Sequence, residues 1–273
     1  MIQLVCIDVD GTLVGSSATV RPDVWAAVDA ARASGLRLAI CSGRPAFGVA
    51  RGYAERLDAA GWHVFQNGAS VVHLGTLESV SDGLPEGTVA ALVAAARRTG
   101  QVLELYTDTE YAVESTAERA RTHAELLGLP LGARPFESLG GRVVRAQWVV
   151  PHAEAAALLA GPHPGLEVAA STSPVMPDTV FVNVTPAGVT KASAVRRVAA
   201  AYEVPLAAVM FVGDGENDLA AMRTVGFPVA MANAEPAVHA VARAAVGHVD
   251  DGGLVEALAL ARGAAGATSR ARG

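Results

Sequence analysis

Short runs of apolar residues without alternation recur along this chain, and stretches with helical periodicity separate them. The first run, residues 4–7, has the pattern of a strand that is buried on both faces of a parallel sheet. Pro22 and Gly35 bracket a helical stretch that precedes the next run, residues 36–40. This order predicts a βαβ unit with a right-handed crossover. A short strand is predicted at residues 63–65, another buried strand at 208–212, and the last strand with its turn at 229–234.

A different pattern occupies residues 81–184. Segments at 102–106 and 110–113 flank a polar turn, as in a β-hairpin. Helical segments at 85–99 and 117–127 alternate with these and later strands. Hairpins mixed with helices indicate an α+β module, and the alternation of its strands predicts an open antiparallel sheet with helices on one face.

We therefore expect an α/β fold with an insertion. Residues 1–80 and 185–263 would form a core domain around the parallel sheet, and residues 81–184 would form the inserted α+β domain. Residues 264–273 are rich in Ala, Gly, Ser and Arg, a composition that predicts a disordered tail.

Two carboxylates, Asp8 and Asp10, follow the first buried strand, and Gly11 allows a tight turn after them. A carboxylate at the end of a buried strand is poorly hydrated and needs a partner. Two carboxylates two residues apart on an extended chain can point the same way, and they then need a cation between them or a shared proton. The alternative is an Asx-turn with glycine as the turn residue.

Polar groups follow the second strand as well. Ser42, Gly43 and Arg44 come directly after residues 36–40. A serine hydroxyl and a glycine amide ahead of a helix can form an anion site, although a simple N-cap is the alternative. Asn67 lies in an Asn-Gly pair after residues 63–65, which is a strong hairpin-turn signal in itself.

The last candidates lie after residue 184. Lys191 stands near the start of a helix, where its charge opposes the helix dipole unless the ammonium faces an anion; a solvated surface lysine is the alternative. Asp214, Asn217 and Asp218 follow the strand at 208–212 and precede a helix. Their spacing does not fit an EF-hand loop. We expect this acidic cluster at the same sheet edge as Asp8.

Four stretches, taken together, resemble the four motifs of the haloacid dehalogenase (HAD) superfamily in order and spacing. They look most like the Cof-type branch, which has a class IIB α/β cap between the second and third motifs. The resemblance implies a Rossmann-like parallel sheet core (the HAD fold) with an inserted α+β cap domain. The stretches are Asp8-Val9-Asp10-Gly11-Thr12, Ser42-Gly43-Arg44, Thr190-Lys191 and Gly213-Asp214-Gly215-Glu216-Asn217-Asp218.

The resemblance also implies an activity and a role for each candidate residue. The activity is a Mg²⁺-dependent phosphatase that hydrolyses a small phosphate monoester, such as a sugar phosphate, through an aspartyl-phosphate. Asp8 would be the nucleophile and Asp10 the general acid and base. The Mg²⁺ ligands would be Asp8, Asp10 (through its carbonyl), Asp214 and Asp218, the last as a ligand or an anchor. Phosphate would be bound by Ser42, Gly43, Lys191 and Asn217, and substrate by Arg44 and Asn67.

Two other functions are compatible with this pattern. One is a phosphomutase of the phosphomannomutase type, which would use the same aspartyl-phosphate. The other is a ligand-binding relative without catalysis, which would be expected to lack Asp8 or Asp10, and both are present.

The composition of the chain limits the classes of binding partner that we expect. The net charge of −6 argues against a nucleic-acid or anionic membrane surface. No apolar run approaches the ~20 residues of a membrane span, and no basic, apolar signal segment opens the chain. Cys6 and Cys41 read as buried strand thiols. We expect a cytoplasmic protein, a monomer or small homo-oligomer, whose partner is a small phosphorylated metabolite.

Overall fold

The computed structural model describes residues 1–160, 162–173 and 175–266. Its strands are β1 (Leu4–Ile7), β2 (Arg37–Ile40), β3 (Trp62–Phe65), β4 (Ser70–His73), β5 (Glu78–Ser79), β6 (Val102–Tyr106), β7 (Tyr111–Val113), β8 (Arg145–Pro151), β9 (Leu166–Ser173), β10 (Met176–Pro186), β11 (Val209–Gly213), β12 (Phe227–Ala230) and β13 (Ala244–Ala245). Its α-helices are α1 (Pro22–Ala33), α2 (Val49–Asp58), α3 (Glu86–Thr99), α4 (Glu118–Leu126), α5 (His152–Leu159), α6 (Lys191–Ala201), α7 (Leu219–Met222), α8 (Pro236–Val241) and α9 (Gly253–Gly266).

The chain divides into two compact units. The first contains Met1–Gly43, Gly52–Val80 and the chain from Thr190 onward, and the second contains Arg44–Arg51 and Ser81–Val189. The first unit is built on a five-stranded parallel sheet in the order β13-β12-β11-β1-β2. Every residue of β1 is buried, as the unbroken apolar run predicts. The predicted α/β fold is thus confirmed.

The order of the parallel sheet decides where chemistry can occur. Strand β1 lies between β11 and β2, and all three run in the same direction. The segments after these three strands therefore leave the same edge of the sheet, where ligands bind in open α/β sheets. They are the segments that carry Asp8, Ser42 and Asp214.

A small antiparallel sheet, β3-β4-β5, completes the first unit. Strands β3 and β4 pair across the Asn-Gly turn, so the hairpin signal is confirmed. The two-residue strands β5 and β13 are absent from the sequence predictions because such short segments carry too few residues for a period. Strand β4 is indicated there only through the hairpin signal.

His63, on β3, joins this hairpin to the parallel sheet. Its imidazole Nδ1 accepts a hydrogen bond from the Ile40 amide at 3.2 Å, so Nε2 carries the proton and donates to the Asp58 carbonyl at 2.8 Å. The ring thus takes the place of a backbone carbonyl beside the end of β2. His63 is wholly buried, and this burial lowers its pKa from 6.5 to about 4.

The second unit is an antiparallel sheet in the order β7-β6-β8-β10-β9. Helices α3 and α5 pack on the face that carries Leu103 and Trp148, whereas α4 packs on the opposite face against Val149 and Phe181. The prediction that the helices lie on one face is therefore wrong for α4. The physical reason is that Trp148 and Val149 are consecutive apolar residues of β8, so both faces of the sheet need cover.

Helix α9 ends at Gly266, three residues into the segment for which a disordered tail was predicted. Residues 267–273 lie outside the described residues. Within the described part of the chain, no helix combines the length and the apolar character that crossing a bilayer requires.

The bridge made by His63 yields a stability prediction. Replacing His63 with Leu leaves the buried Ile40 amide without a partner and removes one of the two hydrogen bonds that the Asp58 carbonyl accepts. The free energy of unfolding should therefore fall by about 1–3 kcal/mol at pH 7. Because the folded state holds the ring neutral, wild-type stability should also fall as pH decreases from 6.5 towards about 4, and this component should vanish in the variant. Urea unfolding at pH 7 and pH 5 measures both effects. The exposed His239→Ala variant is the control, and equal losses in the two variants would contradict the bridge.

Candidate active site

Asp8 directly follows β1 and is 6% exposed. Its amide donates to the Val212 carbonyl, which extends the pairing of β1 with β11 by one residue before the chain turns. The turn requires a φ of +88° at residue 11, which glycine adopts readily and which would strain other residues. A Cβ at Gly11 would also overlap the Asp214 carboxylate, so glycine is needed for close approach as well.

The Asp214 carboxylate comes from the end of β11 and meets the first turn through a side chain. The Thr12 hydroxyl donates to Asp214 Oδ1 at 2.8 Å. Asp8, Asp214 and Asp218 each offer a carboxylate oxygen within 4.8 Å of the others, the group that could hold a metal ion among the described residues. Sequence spacing predicts this meeting of the two strand ends, and the geometry agrees with it.

Lys191 begins helix α6 and is fixed there by its neighbours. Thr190 and Ser193 form a capping box, in which each side chain accepts a hydrogen bond from the other residue's amide. The Lys191 ammonium is buried and donates to Asp8 Oδ1 at 2.5 Å and to Asp218 Oδ1 at 2.7 Å. The side chain faces anions and is not the solvated surface lysine of the alternative interpretation.

The sequence contains one lysine among its 21 basic residues, and it is Lys191. Arginine serves at the other 20 positions. The exception has a physical reason, because an ammonium is a compact point charge that fits between two carboxylates, whereas a guanidinium is a wide planar fork.

Asp218 uses both carboxylate oxygens within the site. Oδ1 accepts from Lys191, while Oδ2 accepts from the amides of Asp214 and Gly215 at 3.0 and 3.1 Å. The short 3₁₀ turn Glu216–Asp218 makes this return possible. These bonds favour Asp218 as the anchor of Lys191 and of the loop, one of the two roles that the sequence leaves open.

The electrostatics of the cluster call for more positive charge. Burial, together with the carboxylates of Asp218 and Asp214, raises the pKa of Asp8 well above its usual range despite the opposing effect of Lys191. Burial is also the main cause that raises the pKa of Asp214 to about 6. Burial opposes the charge on Lys191, but Asp218 and Asp8 outweigh it and raise the lysine pKa. Three carboxylates and one ammonium carry a formal charge of −2, which a divalent cation would neutralise.

Four further candidate residues contact one another through Asn67. The amide of Asn67 donates to the Ser42 carbonyl at 3.0 Å, and the Asn217 side-chain amide donates to Asn67 Oδ1 at 3.2 Å. Gly43 is close enough to Asn67 that a Cβ there would lie 3.2 Å from Oδ1. Ser42 is wholly buried, and its amide is bonded to the Val64 carbonyl.

Two candidates are not members of the three-carboxylate group. Asp10 is exposed, and its side chain is not a member of that group. Its charge nevertheless contributes to the raised pKa of Asp214. Arg44 belongs to the second compact unit. The roles of both remain predictions.

Sequence reasoning missed Asn233, which supports the first turn. Its side-chain amide donates to the Gly11 carbonyl at 2.8 Å, and its Oδ1 accepts from the Val249 amide at 3.0 Å. Its only sequence signal is a polar residue after a buried strand, the signal that identified Asp8. Thr12 lies within the first of the four motifs. Its bond to Asp214 was not predicted, because it joins residues 202 positions apart.

Comparison with known proteins gives one family and one fold. The sequence profile of the haloacid dehalogenase-like hydrolases matches residues 5–128 and 169–258. "Putative phosphatase YxeH" of Bacillus subtilis is 28% identical over 251 residues, which is 87% of this chain and 90% of that protein. A "Putative phosphatase" of Streptococcus pyogenes serotype M6 is 25% identical over 264 residues, 94% of this chain and 97% of that protein.

Solved structures share the fold over nearly the whole chain. A haloacid dehalogenase-like hydrolase from Bacteroides thetaiotaomicron superimposes with a TM-score of 0.84 at 23% identity, covering 95% of this chain and 99% of that one. A HAD subclass IIB sugar phosphatase gives a TM-score of 0.77 at 23% identity, covering 94% and 98%. At such identities the likeness establishes the fold.

The buried ammonium yields the next prediction. Replacing Lys191 with Met leaves two buried carboxylates without their cation, so in chelator at pH 7 the free energy of unfolding should fall by about 3–5 kcal/mol. The loss should be smaller at pH 5, because the raised pKa of Asp8 allows this carboxyl to take up a proton. Lys191→Arg keeps the charge and tests whether compactness matters. A loss independent of pH would contradict the electrostatic role.

Proposed function

The chain belongs to the haloacid dehalogenase-like hydrolases, and we propose that it is a Mg²⁺-dependent phosphatase that hydrolyses a small phosphate monoester through an aspartyl-phosphate on Asp8. The superfamily resemblance of the four motifs is confirmed by the family match. The observation that carries the proposal is the buried Lys191 ammonium held between Asp8 and Asp218, with Asp214 in the same carboxylate group.

The donor set fits Mg²⁺, which prefers oxygen ligands and keeps several of its waters. We propose Asp8, Asp214 and the backbone carbonyl of Asp10 as ligands, with Asp218 as a further ligand or the anchor of the loop. Bound there, Mg²⁺ would supply the positive charge that offsets the carboxylates and the phosphoryl oxygens. The pKa of Asp8 is raised, but only its ionised carboxylate can attack phosphorus, so the positive charge of Mg²⁺ would favour the reactive form.

Each residue then has a defined task. An Asp8 oxygen forms a bond to phosphorus as the bond to the leaving oxygen breaks, and Asp10 gives its proton to that oxygen. Asp10 next takes a proton from water, whose oxygen attacks phosphorus and releases Asp8 and inorganic phosphate. Lys191 holds Asp8, and in this proposal its ammonium also binds a phosphoryl oxygen. Ser42, Gly43 and Asn217 complete the phosphate contacts of the proposal.

The names of the relatives and the presence of the insertion support a proposal for the substrate class. One structural neighbour is named a sugar phosphatase, and two relatives carry phosphatase names. We propose a small phosphorylated metabolite, such as a sugar phosphate, handled in the cytoplasm by a monomer or small homo-oligomer. In this proposal the inserted cap, residues 81–184, reads the organic half of the substrate. Arg44 and Asn67 would contribute to its binding at the rim of the site.

Phosphate release from a panel of sugar phosphates, polyol phosphates, nucleotides and phosphoglycerate conjugates tests the function. Mg²⁺ should support turnover, EDTA should abolish it, and Ca²⁺ should bind with little turnover because its looser coordination misplaces Asp8. Asp8→Asn should lose roughly 10³-fold or more in kcat while staying folded. Full activity in EDTA, substantial release by Asp8→Asn, or transfer of phosphate to a second sugar without release would each overturn part of the proposal.

The role of Asp10 predicts a dependence on the leaving group. An alkyl phosphate needs a proton on its departing oxygen, whereas an aryl phosphate does not. Asp10→Asn should therefore lower kcat/KM by about 10²–10⁴ for an alkyl ester and far less for an aryl ester. Exposed Asp251 provides a control variant, Asp251→Asn. Equal losses on both esters would count against Asp10 as the acid.

A further inference from the structure

The hairpin turn between β3 and β4 has an unusual backbone. Gln66, Asn67 and Gly68 have φ values of 53°, 54° and 103°, so three consecutive residues are left-handed and two of them are not glycine. Glutamine gains little from this conformation, and such strain persists only where the surroundings impose it. Strain of this kind points to a positional requirement at the turn.

The turn touches three segments that carry candidate phosphate ligands. The Asn67 amide donates to the Ser42 carbonyl at 3.0 Å, and the Asn67 side chain lies against Gly43. Asn67 Oδ1 accepts from the Asn217 side-chain amide at 3.2 Å. The contact with the third segment, the start of α6, is made by Gly68.

Gly68 is packed against the backbone that precedes Lys191. A Cβ at Gly68 would overlap the Thr190 carbonyl oxygen and lie 3.1 Å from the Lys191 amide nitrogen. The turn therefore has to be left-handed and free of a side chain at this point. A side chain at Gly68 would have to displace the backbone at the start of α6, the helix that carries the ammonium.

We propose that the turn at residues 66–68 sets the phosphate-binding groups in place relative to one another, and that Asn67 is a positioning residue that acts through Asn217 and Ser42. The proposal rests on the function assigned above to those groups. It changes the role of Asn67 from a substrate ligand to the partner that aims Asn217. Its amide oxygen already accepts from Asn217, which leaves the second amide hydrogen of Asn217 for a phosphate oxygen.

Asparagine meets both demands of the position. It tolerates the left-handed region better than most residues, and its side chain ends in a neutral acceptor. Glycine would meet the backbone demand and lose the acceptor. Aspartate would keep an acceptor and add a negative charge beside the phosphate.

A double-mutant cycle tests the proposal with Asn67→Gly, Asn217→Ala and the two combined. Asn67→Gly keeps the left-handed backbone and removes only the side chain. Inorganic phosphate is the probe, as a competitive inhibitor and in direct titration. We expect its dissociation constant to rise about 3- to 10-fold in each single variant, with KM rising more than kcat falls. The double variant should be no more than about twofold worse than Asn217→Ala alone.

Leu77→Gly is the matched control, because Leu77 is also left-handed, with a φ of 59°, but is exposed in the next turn of the hairpin sheet. Both glycine variants should have similar melting temperatures, and only Asn67→Gly should lose phosphate affinity. A purely structural role would instead lower the melting temperature and leave the dissociation constant unchanged. That result, or fully additive losses in the cycle, would overturn the proposal.

Two readouts separate this inference from the proposed function. Phosphate titration needs no turnover, so coupling between Asn67 and Asn217 can be measured in a protein that hydrolyses nothing in the ester panel. The side-chain amide resonances of Asn217 need no ligand at all, and Asn67→Gly should shift them. Turnover without coupling and without this shift would leave the phosphatase standing and overturn the positioning role.

Discussion

The buried contact of the Lys191 ammonium with two carboxylates is the constraint on which the site depends. Asp8 comes from the end of β1 and Asp218 from the loop after β11, so the ammonium joins two strand ends to the start of α6. Buried ion pairs add little net stability, because desolvation offsets much of the attraction. The main effect of the contact is to position the side chains of Asp8 and Asp218. It fixes which carboxylate oxygens of Asp8 and Asp218 face the ammonium and holds together an acidic group that would otherwise repel itself.

This constraint explains the glycines and the caps around the site. Gly11 and Gly68 lie where a Cβ would overlap the Asp214 carboxylate and the Thr190 carbonyl, respectively. The capping box of Thr190 and Ser193 offsets part of the cost of placing a cation at a helix start. The Asn233 side chain supports the first turn by donating a hydrogen bond to the Gly11 carbonyl. These glycines, and a lysine at a helix start, are unfavourable locally, but each is consistent with a fold that places the ammonium between the carboxylates.

The sequence predicted those parts of the structure that follow from local rules. Unbroken apolar runs identified β1, β2 and β11, and the rule that parallel strands end at one edge of a sheet predicted that Asp8 and Asp214 lie together. It could not reveal pairings that depend on the fold. The bond of Asn233 to Gly11 spans 222 positions, and the side of the sheet on which α4 packs is decided by consecutive apolar residues in a distant strand. Asn67 was a sequence candidate for substrate binding, but the positioning role proposed for it depends on a bond to Asn217, 150 positions away, which no local pattern indicates.

The use of a single lysine has a practical consequence for chemical labelling. Lys191 is the one lysine in the sequence, and its side chain is fully enclosed. Reagents that acylate lysine amines, and enzymes that modify lysines, therefore have no exposed lysine to attack in the folded protein. Acylation at Lys191 would occur only when the site opens locally, so the rate of this single reaction would report how often the carboxylates release their ammonium. Mass spectrometry could follow that rate with and without a divalent cation, and it would measure the dynamics of the site without any knowledge of the substrate.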